Sequence, residues 1–144
     1  MGAEPTVAEG SGDKTIFSLL HAARTLEDKL EAALGTAGLS GPKFSVLSEL
    51  VSSGHPLSLS ELAARLSCVR SNMTQLVDRL EAEALVQRVS CPNDRRAVNA
   101  AITDLGRERQ AAGAEAVAHL HAEFAAAVSP ADREALKRML SALG

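Results

Sequence analysis

Tryptophan and tyrosine are absent from this chain, and phenylalanine occurs only three times in 144 residues. A core must therefore be built from leucine, alanine and valine. Such a core suits close-packed helices and argues against an aromatic-lined ligand cage or a base-stacking single-strand binder. The shortage of aromatic residues also counts against a β-sandwich. Cysteine is nearly absent as well: Cys68 and Cys91 are too few for a disulfide framework, and their spacing fits no zinc motif. No apolar run approaches the ~18 residues of a membrane span, and the chain opens without a secretory apolar stretch. A soluble, cytoplasmic protein with no membrane partner, metal or cofactor is expected. No nucleophile–base pairing, phosphate loop or metal-ligand constellation is legible, so an enzyme is not expected.

What is present is one domain's length of chain with 46% apolar residues, enough to form a real core. The formal net charge of −3 disfavours a polyanionic partner only if the charge is spread evenly, and it is not. Residues 65–109 hold eight arginines against six acidic residues, leaving −5 for the remainder of the chain. The positive charge in that segment is all arginine, whose forked guanidinium suits phosphate and guanine better than lysine does.

Small and polar residues mark 1–12 as a flexible tail ahead of a single unit over 13–144. Within that unit, Ile16, Leu19, Leu20, Ala23, Leu26, Leu30 and Leu34 recur at helical spacing, predicting a long amphipathic helix over about 14–34 that Gly35 and Gly38 end. Ser40 caps a second helix with Pro42 in its first turn, running to Gly54. Ser58 and Glu61 form a capping box that starts a short third helix over Leu59–Leu66, with Leu57 placed to staple onto Leu62. A fourth helix follows over about Arg70–Glu83, burying Met73, Leu76, Val77 and Leu80. Residues 85–89 and 97–102 read as two strands joined by a Cys91–Arg96 loop. Thr103 then caps a long helix from Asp104 to about Ala127, and Ser129-Pro130 starts a last one. The fold class is mainly α with a small antiparallel β-wing: a winged helix-turn-helix over about 39–103, flanked by terminal helices at about 14–34 and 104–144. Those terminal helices, rich in alanine and leucine, are expected to bury their apolar stripes against a second copy of the chain, making a homodimer. Closure into an intramolecular bundle is the competing arrangement.

The fourth helix turns Arg70, Ser71, Asn72, Thr74, Gln75, Asp78 and Arg79 outward. Forked arginine, bidentate Asn72 and Gln75 and short hydroxyls are the residue types that read base edges in a major groove. Any solvated helix face looks similar, so the hairpin carries the decision. Arg95 and Arg96 at its tip have no local structural need, and a narrow minor groove attracts inserted arginine. Asp94 can orient one of these guanidiniums or simply cap the turn.

The runs Leu62-Ala63-Ala64-Arg65-Leu66, Thr74-Gln75-Leu76-Val77-Asp78-Arg79-Leu80-Glu81, Leu85-Val86-Gln87-Arg88, Pro92-Asn93-Asp94-Arg95-Arg96-Ala97-Val98 and Thr103-Asp104-Leu105-Gly106-Arg107 together resemble the MarR (multiple-antibiotic-resistance regulator) type of transcription factor. The resemblance covers residues 39–110 and extends in helix pattern to both termini. It implies a homodimeric repressor that binds a palindromic double-stranded DNA operator and is released by a small-molecule effector or an oxidant. By position, Arg70 to Arg79 would be the recognition helix, Arg96 the minor-groove arginine and Arg95 a backbone contact. Gln75 departs from the arginine many members carry, and Val69 from the serine that commonly caps the recognition helix. Ser67 or Ser71 would have to replace that cap, or the helix start is looser. These departures motivate the alternative of a winged-helix protein-interaction module that has lost DNA binding.

Two further features bear on switching. Cys68 falls in the turn of the helix-turn-helix and Cys91 on the wing, and thiols beside arginines are candidates for redox sensing. The competing roles are a small apolar filler for Cys68 and an incidental surface residue for Cys91. The resemblance also implies effectors lodged between the terminal helices and the winged unit, which makes His21, Arg24 and Phe44 weak pocket candidates against ordinary packing and surface roles.

Overall fold

Local capping groups set most element boundaries. The structure, a computed structural model, describes the backbone of residues 3–91 and 94–144 and the side chains of residues 14–91 and 98–144. Its elements are α1 (Ala3–Gly35), α2 (Gly41–Ser53), β1 (Leu57–Ser58), α3 (Leu59–Arg65), α4 (Arg70–Ala82), β2 (Val86–Cys91), β3 (Asp94–Ile102), α5 (Asp104–Ala127) and α6 (Pro130–Ser141). Ser40, Ser58, Thr103 and Ser129 each accept a backbone N–H from the first turn of the helix that follows, and Ser58 with Glu61 completes the capping box.

Helix ends are as specific as helix starts. After α1, Gly38 takes φ 72°, and Leu39 N–H returns to the Leu34 carbonyl at 3.0 Å. This is a Schellman stop, and its signature contact is made by Leu34 and Leu39, both buried. Two more stops of the same kind use residues other than glycine. Ser67 at φ 51° lets Cys68 N–H reach the Ala63 carbonyl, and Ala84 at φ 62° lets Leu85 N–H reach that of Leu80. In each, the residue after the left-handed position folds back onto the helix it leaves, which turns Cys68 and Leu85 toward the core.

Two elements are longer than expected. α1 begins at Ala3, ahead of the start expected near residue 14. Pro5 falls in the first turn, where its missing N–H breaks no helical bond, and Gly10 and Gly12 lower helix propensity without terminating a helix. The hairpin is longer than expected: β2 reaches Cys91 and β3 starts at Asp94, so Asp94, Arg95 and Arg96 belong by backbone to a strand and not to a loop. The register runs from Val86↔Ile102 to Ser90↔Val98 and then shifts to Cys91↔Asp94. The side chains of Asp94, Arg95 and Arg96 lie outside the described residues.

A third strand was not expected. Leu57-Ser58 pairs with Ala100 and Asn99, giving the antiparallel order β1-β3-β2. Ala100 therefore sits between Leu57 and Arg88, fully buried, at the centre of the sheet. Leu34, Val46, Leu47, Leu50, Leu57, Leu62, Met73, Val77, Leu80, Leu85 and Val86 complete one core shared by all elements of the winged unit. α5 crosses this unit to reach α1 and α2. At its start Gly106 lies so close to the chain entering β2 that an added Cβ would stand 2.1 Å from the Leu85 carbonyl oxygen. The terminal helices behave differently: Phe17 and Leu143 are each 70% exposed, with Ile16, Leu20, Met139 and Leu140 also open to solvent. No helix of the described residues is long and apolar enough to cross a membrane.

Candidate nucleic-acid interface

α4 divides cleanly between core and solvent. Met73, Val77 and Leu80 recur at i, i+4 and i+7 and are fully buried. The other face presents Arg70, Ser71, Asn72, Gln75 and Arg79 exposed, with Thr74 half-buried between them. The α4 side chains nominated from the sequence are thus brought onto the solvent side of one helix, anchored from behind by the core.

Several are already engaged. The Arg70 guanidinium donates to Ser60 Oγ on α3, which fixes the start of α4 against its neighbour. Thr74 Oγ1 donates to the Arg70 carbonyl at 3.0 Å, a back-bond within the helix. Asp78 pairs with Arg88 of β2. Among the described residues Asn72, Gln75 and Arg79 make no side-chain bond, so their donors and acceptors are open to a ligand. The N-cap of α4 is Val69, which supplies no side-chain bond; neither Ser67 nor Ser71 replaces it.

Arg88 is the residue that sequence reasoning missed. Its guanidinium reaches Asp78 and, at 2.9 Å, Glu81, and its backbone N–H donates to the other Glu81 oxygen at 3.0 Å. The hydrogen bond to Asp78 leads the causes that raise its pKa above its already high value, against a lowering by partial burial, so it is a permanent cation. The signal was the spacing of the two carboxylates, three apart on one helix and both facing the strand that follows.

The other nominated residues do not converge on this face. Cys68 is half-buried, with its thiol 3.5 Å from the Val69 carbonyl. It lines an open cavity of about 530 Å³ with Pro42, Ser45, Asn72, Met73 and Leu76. Cys91 ends β2, half-buried. Phe44 is half-buried where Gly113 of α5 admits its ring, a packing role, while His21 and Arg24 are exposed along α1. Among the described residues no group of three His, Cys, Asp or Glu side chains could hold a metal ion.

A short helix, a tight turn, a second helix with a polar outer face and a hairpin after it define a winged helix-turn-helix protein. The family model described as MarR family matches residues 37–97, the whole of that device up to the wing. In sequence over that segment and in fold, the chain is similar to MarR family regulators. It is 32% identical over 88 residues to the HTH-type transcriptional regulator PrsX of Escherichia coli, a match covering 60% of this chain and 53% of that one. It therefore spans about half the length of such curated relatives. Among solved structures, AbsC, a MarR family transcriptional regulator from Streptomyces coelicolor, superposes with a TM-score of 0.79 at 27% identity, over 91% of this chain and 90% of AbsC. The repressor CouR, a Rhodococcus jostii RHA1 protein solved on a 23-mer DNA duplex, gives 0.77 at 27% identity over 88% and 89% of the two chains.

Proposed function

We propose that this protein is a transcriptional regulator that binds double-stranded DNA through α4, with the β2–β3 wing reaching the adjacent minor groove. The observation that carries the reading is the outer face of α4, whose open Asn72, Gln75 and Arg79 side chains are matched to base edges and phosphates and held by a rigid core. The likeness to CouR, solved on a DNA duplex, supports it. Arg95 and Arg96 are assigned to the wing contact, with Asp94 orienting them.

The active form is a homodimer. Apolar side chains left in water on both terminal helices, Ile16, Phe17 and Leu20 on α1 and Met139 and Leu140 on α6, favour burial against a second copy. Two recognition helices roughly 34 Å apart would then meet a palindromic operator one DNA turn in repeat. The protein acts as a repressor, and a small ligand or an oxidant releases it. The cavity beside the first turns of α4, with Cys68 in its wall, supports that mode of release.

Selection of genomic fragments by the purified protein tests the reading. Enrichment of an inverted repeat is expected. If a winged helix bearing Gln75 and an uncapped α4 serves protein contacts instead, no fragment is enriched and binding to DNA shows no dependence on salt.

A further inference from the structure

We propose that Arg88 is a positioning residue that fastens the wing to the recognition helix, so that α4 and the β2–β3 hairpin meet DNA as one body. The inference rests on the DNA-binding reading above, but its geometry does not. One strand residue makes three bonds to two carboxylates on α4: guanidinium to Asp78, guanidinium to Glu81 and backbone N–H to Glu81. Asp78 and Glu81 are three apart and so share a face of the helix.

β2 is an edge strand of the sheet. Glu81 covers an N–H that the edge would otherwise present to solvent. Arg88 is paired with Ala100 of β3, so a constraint on Arg88 passes directly to the strand that carries Arg95 and Arg96. Beyond Val86 the described hairpin residues of β2 are exposed or half-buried, and apolar packing alone does not fix the direction of the wing.

Isolated surface ion pairs contribute little. This one differs in being a network, with a β2 guanidinium only 28% exposed that holds two acids of α4. Its charge is also neutralised in place. Arg88 therefore releases no counterions when DNA binds, unlike an arginine that contacts phosphate.

The test uses the full chain and the variants Arg88→Ala and Arg88→Lys, with two readouts. In the free protein, Arg88→Ala should accelerate amide exchange across residues 86–102 by about tenfold while the buried amides of α2 keep their protection. On the selected operator, it should weaken binding by about tenfold with an unchanged slope of log affinity against log salt. Hydroxyl-radical protection at the minor groove should be lost before that of the major-groove half-site. Arg88→Lys, able to hold one carboxylate but not fork to both, should fall between.

A slope reduced by about one would make Arg88 a phosphate contact and overturn the proposal. Exchange that rises throughout the chain would reduce its role to general stability and overturn it equally. Wild-type binding with unaltered Arg88→Ala affinity would end this inference alone. Failure of the wild type to bind any DNA would end the functional reading, and the claim of positioning for DNA with it.

Discussion

Replacing Gly106 by alanine separates two opposite expectations. Helix propensity alone favours the substitution, because alanine is more stable than glycine inside a helix by about 1 kcal/mol. The packing at this position opposes it. An alanine Cβ would stand 2.1 Å from the Leu85 carbonyl oxygen, 2.8 Å from Ile102 Cγ1 and 3.1 Å from the Leu85 carbonyl carbon. The nearest of these is backbone, and that carbonyl already accepts the Thr103 N–H at 3.1 Å, so it cannot turn away without breaking a bond. Thr103 also donates to the Ala84 carbonyl at 2.7 Å while capping α5. Relief therefore requires α5 to move off the end of the recognition helix, at a net cost of about 2–3 kcal/mol. Urea unfolding followed by far-ultraviolet circular dichroism, at fixed protein concentration, should show the midpoint falling by about 1 M for an m-value near 2 kcal/mol/M. Two other glycines supply internal controls. At Gly113 the obstruction is the Phe44 ring, 2.8 Å from the added atom but able to swing, so the loss should be smaller, about 1 kcal/mol. At Gly35 nothing lies within 4 Å, and alanine should be neutral or stabilising. A Gly106→Ala protein as stable as the wild type would refute this account of the α5–β2 junction.

Three other outcomes are expected. Ser67→Gly and Ala84→Gly, at φ 51° and 62°, should each stabilise the fold by about 1 kcal/mol, read as a rise in thermal midpoint; a fall would mean their side chains matter more than their backbone. Val69→Ser supplies the missing cap of α4 at a residue already 62% exposed, and should add about 0.5–1 kcal/mol in chemical denaturation without loss of helix content. Phe17→Asp combined with Leu143→Asp should turn a sedimenting dimer into a folded monomer, since both side chains are 70% exposed in the single chain; an unaltered dimer would place the interface elsewhere.

The helices were legible because their punctuation is local. Ser40, Ser58, Thr103 and Ser129 announce helix starts by side-chain chemistry, and apolar spacing assigned Met73, Val77 and Leu80 to the core. β1 was not legible, because Leu57-Ser58 becomes a strand only through pairing with residues more than forty positions away. The same holds for β3. Its alanines look wrong for a strand until Ala100 is found buried with a strand on either side, where a larger side chain would not fit as well. The extension of α1 back to Ala3 was not legible either, since the small and polar composition of residues 1–12 carries no apolar spacing to announce a helix. For the site, residue type identified the face of α4, but which of its side chains are open to a ligand depends on Ser60 and Arg88, partners contributed by other elements. No counting along one helix can reveal those.

The central claim is that this winged helix reads DNA, and its most direct test is the salt dependence of binding to the selected operator. Wild-type affinity should fall steeply and linearly in log–log form, and Arg79→Ala and Arg96→Ala should each lower the slope by about one. Absence of any enriched fragment, or affinity indifferent to salt, would contradict the account.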